Sequence, residues 1–197
     1  MELYRQVLAF LTVVGFVGAY PGGPPVGACQ HMFPVEHNRT AQNTTAPFEV
    51  AISGTKYAGG TEITVTVRNT SDTYFEGLFV QARRVSDNVN ETIGSFEVPT
   101  GQNLKTMDCL SKEKSAVSQS KKAHYTEKQF TWIAPADFND DVRFRATIVH
   151  ETHDFWVDVF SNTMRYDASL EVKNTNGAAT LATSVLTIVA SALFILH

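Results

Sequence analysis

The stretch Tyr74-Phe75-Glu76-Gly77-Leu78-Phe79-Val80-Gln81-Ala82-Arg83 decides the fold of this chain. A strand that is buried on one face alternates strictly between apolar and polar residues, whereas a strand that is covered on both faces need not. Here the apolar residues occupy both parities, with Leu78, Val80 and Ala82 on one and Phe75 and Phe79 on the other. We therefore predict a central strand with the rest of the domain packed around it. Gly77 within it predicts a β-bulge or the close approach of another backbone.

Further strand-like segments lie on both sides of this stretch and are separated by Gly, Pro and Asn turns. They cover residues 48–52, 63–67, 93–98, 130–133, 142–148 and 155–160, with weaker pairing predicted over 169–172. The polar, Ser- and Lys-rich interval 104–125 predicts a long loop with short strand pieces. This spacing of short strands predicts an all-β fold, an antiparallel β-sandwich. Trp132 and Trp156 are expected to be its largest core residues.

The first 19 residues have the pattern of a cleaved signal peptide, with Arg5 ahead of an apolar run over 7–17 and small residues before Tyr20. The alternative, a membrane anchor, requires a longer apolar run than this one. We predict cleavage before Tyr20, an oxidising environment, and one domain over residues 20–173.

The C-terminal segment 174–197 has the pattern of a glycosylphosphatidylinositol (GPI) attachment signal. The small residues Asn176-Gly177-Ala178 precede a short spacer and an apolar tail over 185–196. We predict lipid attachment at Asn176, with Asn174 as the alternative if the spacer is longer. A tail anchor retained in the membrane, or a buried terminal element, are the other interpretations.

Charge and cysteine content limit the possible functions. The net charge is −4, so the chain has no electrostatic reason to bind nucleic acid. The two cysteines, Cys29 and Cys109, are expected to form a disulfide in an exported protein, with two free thiols as the competing interpretation. That bond would fasten a Pro- and Gly-rich N-terminal arm to the middle of the domain.

Four sequons predict N-linked glycosylation in polar loops of an exported chain. Their acceptor residues are Asn38, Asn43, Asn69 and Asn90.

Several charged or polar groups resemble functional motifs only in part. In His150-Glu151-Thr152-His153 the histidines are three residues apart beside a strand, so they do not match the helical zinc-protease pattern. The acidic loop 136–141 lacks the glycine and terminal glutamate of an EF-hand, and no serine lies in a Gly-x-Ser-x-Gly turn. We expect no cofactor, no metal and no catalysis.

A basic group could contact acidic glycans, although a solvated loop is the favoured interpretation; it comprises Lys112, Lys114, Lys121 and Lys122.

Taken in order, several motifs resemble those of the reeler domain family. They are Gly59-Gly60, 75–83, Ile93-Gly94-Ser95-Phe96, Cys109, Ala123-His124, 130–135, 142–147 and Phe155-Trp156. The resemblance covers about residues 20–160. The family includes small insect-type defence proteins and the N-terminal domains of reelin and of ferric-chelate-reductase-like proteins.

The resemblance implies an immunoglobulin-like sandwich with one disulfide that binds a partner rather than catalyses a reaction. It implies a role in innate immune defence, through antimicrobial recognition of microbial surface glycans or haemocyte aggregation. The alternative is a cell-surface or matrix adhesion module in development that binds a host protein. An accessory domain related to the ferric reductases is a further alternative. The predicted location is extracellular, either secreted or GPI-anchored to the outer face of the plasma membrane.

Overall fold

The computed structural model describes residues 22–86 and 91–171, which form two packed β-sheets. The strands are β1 (Phe48–Ile52), β2 (Lys56–Tyr57), β3 (Glu62–Asn69), β4 (Gly77–Arg84), β5 (Ser95–Glu97), β6 (Leu104–Cys109), β7 (Lys112–Gln119), β8 (Glu127–Ile133), β9 (Val142–Glu151), β10 (Asp154–Phe160) and β11 (Arg165–Tyr166). The predicted signal peptide and the GPI signal lie outside the described residues.

One sheet has four strands in the order β1-β3-β8-β5, and the other has five in the order β10-β9-β4-β7-β6. All pairings within them are antiparallel, and a separate two-residue parallel pairing joins β11 to β2. The predicted immunoglobulin-like β-sandwich with one disulfide is confirmed. Among the described residues, no helix is long and apolar enough to cross a membrane.

β4 is the middle strand of the five-stranded sheet and is buried on both faces, as predicted. Its even-numbered residues, Leu78, Val80 and Ala82, face the main core between the sheets, whereas Phe79 packs in a second cluster on the outer face. The predicted bulge at Gly77 is wrong, because β4 begins there and pairs with β9 in unbroken register. The atoms that approach Gly77 closely belong to side chains of Gln119 and Val149 rather than to another backbone.

Trp132 is the centre of the main core and is fully buried. Its indole Nε1 donates to the carbonyl of Ile93 at 2.8 Å, and its ring makes edge contacts with Tyr57 and Phe144 at centroid distances of 5.6 and 5.7 Å. Trp156 is only partly buried and packs on Phe48 at the margin of this core. Of the two predicted tryptophan anchors, the structure therefore places only Trp132 at the centre.

Two segments differ from the sequence prediction. The interval 104–125, predicted as a long loop with short strand pieces, instead contains the regular hairpin β6–β7. Its polar residues are compatible with burial because they bond to backbone; the Ser115 hydroxyl, for example, bonds to both the N–H and the carbonyl of Cys109. The weak strand predicted over 169–172 is wrong where the structure describes it, because Ala168–Leu170 is a 3-10 turn. The Asp167 carboxylate caps that turn by accepting the Ser169 N–H.

Candidate binding cleft beneath the N-terminal arm

The N-terminal arm, residues 22–47, covers part of the outer face of the five-stranded sheet. Its prolines and glycines prevent regular ladder pairing, and its ordered backbone includes two 3-10 turns, Val26–Cys29 and Val35–His37. Such a segment leaves carbonyl groups without strand partners, and buried carbonyls require other donors. The sheet beneath the arm supplies these donors from side chains.

Four side chains on the outer face of β4 and β9 donate to consecutive parts of the arm. Arg83 Nη2 lies 2.7 Å and Gln81 Nε2 3.1 Å from the carbonyl oxygen of Cys29. Both side chains are buried. Arg145 Nη2 donates to the His31 carbonyl at 3.2 Å. The Thr147 hydroxyl donates to the Met32 carbonyl.

A small apolar cluster and a disulfide complete the attachment of the arm. Cys29 is bonded to Cys109 at the end of β6, with a Cα–Cα distance of 5.4 Å across 80 residues of sequence, so the predicted disulfide is confirmed. Around it, arm residues pack against the outer face of the sheet. The members of this cluster are Ala28, Cys29, Met32, Phe79, Met107, Cys109 and Ala116.

A cleft of about 300 Å³ lies between the arm and the sheet. Phe79 and Val149 contribute to its floor, and its other side is formed by arm residues that include Met32 and Phe33. The lining is predominantly apolar. Enclosed or half-enclosed apolar space of this size is characteristic of small-molecule sites, where a few polar groups fix the orientation of the ligand.

His37 is one of the few polar residues that line the cleft. Its ring packs edge-on against Phe155 with centroids 5.6 Å apart. Burial lowers the pKa of His37 below its ordinary value, and a hydrogen bond with the backbone of Thr152 opposes that shift only in part. Burial therefore favours the neutral form of the imidazole. Its Nδ1 atom is buried and has no hydrogen-bond partner among the described residues.

Gln119 also lines the cleft. The backbone pairing of β4 with β7 ends at Phe79 and Ser118. Beyond that point β4 bonds to the side chain of Gln119 instead of to the backbone of β7. Its Oε1 accepts the Leu78 N–H at 3.0 Å, and its amide lies over Gly77. A side chain at position 77 would approach Gln119 Nε2 to 3.2 Å, so glycine leaves room for this amide.

The predicted glycosylation sites differ in their surroundings. Asn38 and Asn43 are exposed on the arm, whereas Asn69 is half-buried and its amide donates to the carbonyl of Thr73. Asn90 and the lipid attachment residue Asn176, with its alternative Asn174, lie outside the described residues. Modification at all of these sites stays a prediction.

The structure does not bring the basic lysines together. Lys112 and Lys114 lie at the start of β7, whereas Lys121 and Lys122 follow its end, so β7 separates the two pairs. Lys112 is paired with Glu91 and Lys122 with Glu76, each at 2.9 Å. The idea of a single basic patch is therefore wrong, because the interval is a strand rather than a loop.

The histidine motif is also divided. His150 lies on β9 against Tyr74, with Nδ1 2.7 Å from the Tyr74 carbonyl oxygen, while His153 lies in the turn before β10. In the acidic loop, Asp140 pairs with Arg84 at 2.6 Å. Within residues 22–86 and 91–171, no group of three or more His, Cys, Asp or Glu side chains is placed to hold a metal ion.

Sequence reasoning missed the residues that build the cleft. Gln81 and Arg83 could have indicated that another segment covers this face of β4, because long polar side chains in a strand buried on both faces require hydrogen-bond partners. The signal could not identify those partners, which lie more than fifty residues away on the arm. Nothing in the sequence distinguishes His37 from an exposed loop histidine.

Comparison with known proteins places the chain among reeler sequences. The Reeler domain family matches residues 27–171. The chain is similar to Defense protein l(2)34Fc of Drosophila melanogaster, with 32% identity over 158 residues that cover 79% of this chain and 94% of that protein. It is also similar to Ferric-chelate reductase 1 of Mus musculus, with 31% identity over 158 residues covering 80% of this chain and 26% of that protein.

The chain spans about a third or less of the reductase relatives. A Danio rerio protein whose name also refers to ferric-chelate reductase 1 is 30% identical over 185 residues, which cover 93% of this chain and 32% of that protein. Among solved structures, the human F-spondin reeler domain aligns with a TM-score of 0.55 and 22% identity, covering 71% of this chain and 99% of that one. This last likeness shows a shared fold.

Proposed function

Because the chain belongs to the Reeler domain family, we propose that it is an extracellular, non-enzymatic recognition module of innate defence. The observation that carries this proposal is the alignment with a Drosophila melanogaster defence protein over 94% of that protein's length. The chain covers only 23–32% of the length of the reductase relatives, so their whole-protein activity is not assigned to it.

The architecture supports a binding role. The arm is held by a disulfide and by donors from β4 and β9, so the cleft below it is formed before any ligand arrives. A pre-formed site loses less conformational entropy on binding than a loose one. We propose that this cleft takes part in recognition of a microbial surface, with the chain displayed on or released from the outer face of the cell.

Adherence of microbes to cells that display the chain tests this role. Cultured insect cells expressing the full chain are expected to retain fluorescent heat-killed bacteria or fungi more than cells displaying an unrelated GPI-anchored protein. Retention at the level of that control would contradict the proposal. Binding of host matrix proteins without any microbial binding would instead favour the developmental adhesion module.

A further inference from the structure

Three arginines lie close together on the outer face of the five-stranded sheet. Arg83 on β4 and Arg143 on β9 are directly opposite each other in the register of the two strands. Arg145 is two residues further along β9 and therefore lies on the same face as Arg143. Like charges in directly opposite positions destabilise a sheet, so each of these guanidinium groups requires a compensating partner.

Two of the three arginines have polar partners among the described residues. Arg83 is fully buried and donates to the carbonyl of Cys29 at 2.7 Å. Arg145 forms an ion pair with Asp158. Asp158 lies in a bulge, where two residues of β10 face one residue of β9, and its φ is +57°. The bulge therefore supplies a carboxylate to Arg145.

Arg143 differs, because none of the described residues forms an ion pair or a hydrogen bond with it. Its guanidinium carbon lies 3.8 Å from the centroid of the Phe160 ring. The Nε atom is buried, whereas the two Nη nitrogens are not. The side chain is thus packed on an aromatic ring with the outer edge of its guanidinium open to solvent.

This arrangement favours a singly charged ligand group with two oxygens. A guanidinium presents parallel N–H groups that match the two oxygens of a carboxylate or a phosphate. Stacking on a ring uses the face of the guanidinium and leaves the donors in its plane available. One unpaired positive charge matches one negative charge, which a carboxylate or a phosphodiester carries. A neutral hydroxyl would bind less well, because charge-assisted hydrogen bonds are roughly twice as strong as neutral ones.

We propose that the Nη edge of Arg143 binds a carboxylate or phosphodiester group of an acidic microbial glycan. Neither Arg143 nor Phe160 lines the cleft beneath the arm, so this is a second site. The inference rests on the proposed recognition role for the source of the ligand, and it adds the charge that the ligand carries. The same anionic chemistry is present in uronate sugars and in wall polymers linked by phosphodiesters.

Titration with acetate and with dimethyl phosphate, followed by NMR of arginine Nε–H groups, tests the proposal. Residues 22–171 contain both sheets, the arm and the disulfide, and the F-spondin domain that aligns with them was solved as a domain fragment, so residues 20–173 are a suitable protein. At constant ionic strength, we expect a saturable shift of the Arg143 Nε–H resonance with at least one of the two anions. Arg165, which is exposed, serves as an internal control and is expected to show no saturable shift.

Variants of the site separate its geometry from its charge. Arg143→Lys keeps the positive charge but cannot form two parallel bonds, so we expect it to bind the same anion about three- to tenfold more weakly, which is the range for one hydrogen bond. Phe160→Leu keeps the guanidinium but removes the ring that positions it, and weaker binding is again expected. Arg165→Lys is the matched control and is expected to bind as the unmodified protein does. The backbone amide resonance of residue 143 reports binding in all of these proteins.

Adherence to cells that display the full chain identifies the source of the anion. We expect Arg143→Lys to retain fewer microbes than Arg165→Lys. A loss that is confined to microbes with phosphodiester-linked wall polymers, together with tighter binding of dimethyl phosphate than of acetate, assigns the phosphodiester. A loss that is confined to microbes with uronate polymers, together with tighter binding of acetate, assigns the carboxylate.

The outcomes separate this inference from the defence role. Absence of a saturable Arg143 shift with either anion, or equal affinity in Arg143→Lys, would overturn the site, and the guanidinium would then only pack on Phe160. If Arg143→Lys loses anion binding but retains microbes as the unmodified chain does, the acidic glycan is overturned as the ligand. If the anion binds as expected but the unmodified chain retains no microbes, the anion site stands and the defence role fails.

Discussion

Gly94 illustrates how one position links the backbone to the centre of the core. Its φ is +68°, a conformation that side chains other than hydrogen disfavour. A Cβ there would lie 2.4 Å from the Ile133 carbonyl oxygen and 2.6 Å from Trp132 Nε1. The glycine therefore allows the close approach that lets the Trp132 indole reach the carbonyl of Ile93.

Replacement of Gly94 tests this account at the residue scale. We expect Gly94→Ala to lower the free energy of unfolding by about 2–4 kcal/mol, because backbone strain and the clash with Trp132 add together. Gly101→Ala is the matched control, since its φ is +79° but its Cβ would meet nothing within 4 Å; it is expected to cost about 1–2 kcal/mol. Urea denaturation measures both, and equal losses would contradict the clash.

The arm is the element on which the candidate site depends. Its attachment combines hydrogen bonds to the sheet, the apolar cluster around the disulfide and the packing of His37 on Phe155. Of these three contributions, the packing of His37 involves a side chain whose pKa is lowered by burial. The charged or titratable groups that act on this imidazole are Glu36 and His153.

Attachment of the arm is expected to weaken in acid. The folded-state pKa of His37 is lowered by burial, so the detached arm binds a proton more readily than the attached one. The stabilisation is complete above the ordinary pKa of 6.5 and is lost as the pH falls from there towards the lowered folded-state pKa.

Limited proteolysis of the arm at pH 7.5 and pH 5.5 measures this effect. Cleavage of the unmodified protein relative to His37→Phe at the same pH is expected to rise in acid, because the variant cannot titrate at this position. A ratio that is independent of pH would contradict a role for His37.

At the scale of the whole molecule, the disulfide joins the arm to the sandwich across 80 residues. In the loop-closure model this cross-link reduces the entropy of the unfolded chain by an amount worth about 4–5 kcal/mol. We expect the double variant Cys29→Ser/Cys109→Ser to be less stable than the oxidised protein by about 2–5 kcal/mol in urea denaturation. A loss below about 1 kcal/mol would mean that the arm is held without the bond.

Display of the chain on the cell is predicted to depend on its C-terminal segment. We predict that phosphatidylinositol-specific phospholipase releases the chain from cells that express it in full, because residues 174–197 have the pattern of a GPI signal. Asn176→Trp is expected to reduce surface display, since attachment requires a small residue, whereas Asn174→Trp should not. Failure of the enzyme to release the chain would favour a retained tail anchor.

The sequence by itself determined the fold class, the family, the central position of β4 and the disulfide. These features follow from local alternation of apolar residues, from the order of motifs and from the presence of only two cysteines. Each is visible without knowing which distant segments meet.

Only the tertiary structure decided where the candidate site lies. The cleft exists because an irregular arm crosses the outer face of β4 and β9, where Arg83, Gln81, Arg145 and Thr147 donate to its carbonyls. An irregular segment shows no hydrophobic periodicity in its sequence. Its hydrogen-bond partners depend on three-dimensional packing rather than on spacing along the chain. The hairpin β6–β7 was not predicted because its buried serines look like loop residues in the sequence and find their partners only in the folded chain. Likewise, the four lysines that are close in sequence lie in two pairs at opposite ends of β7.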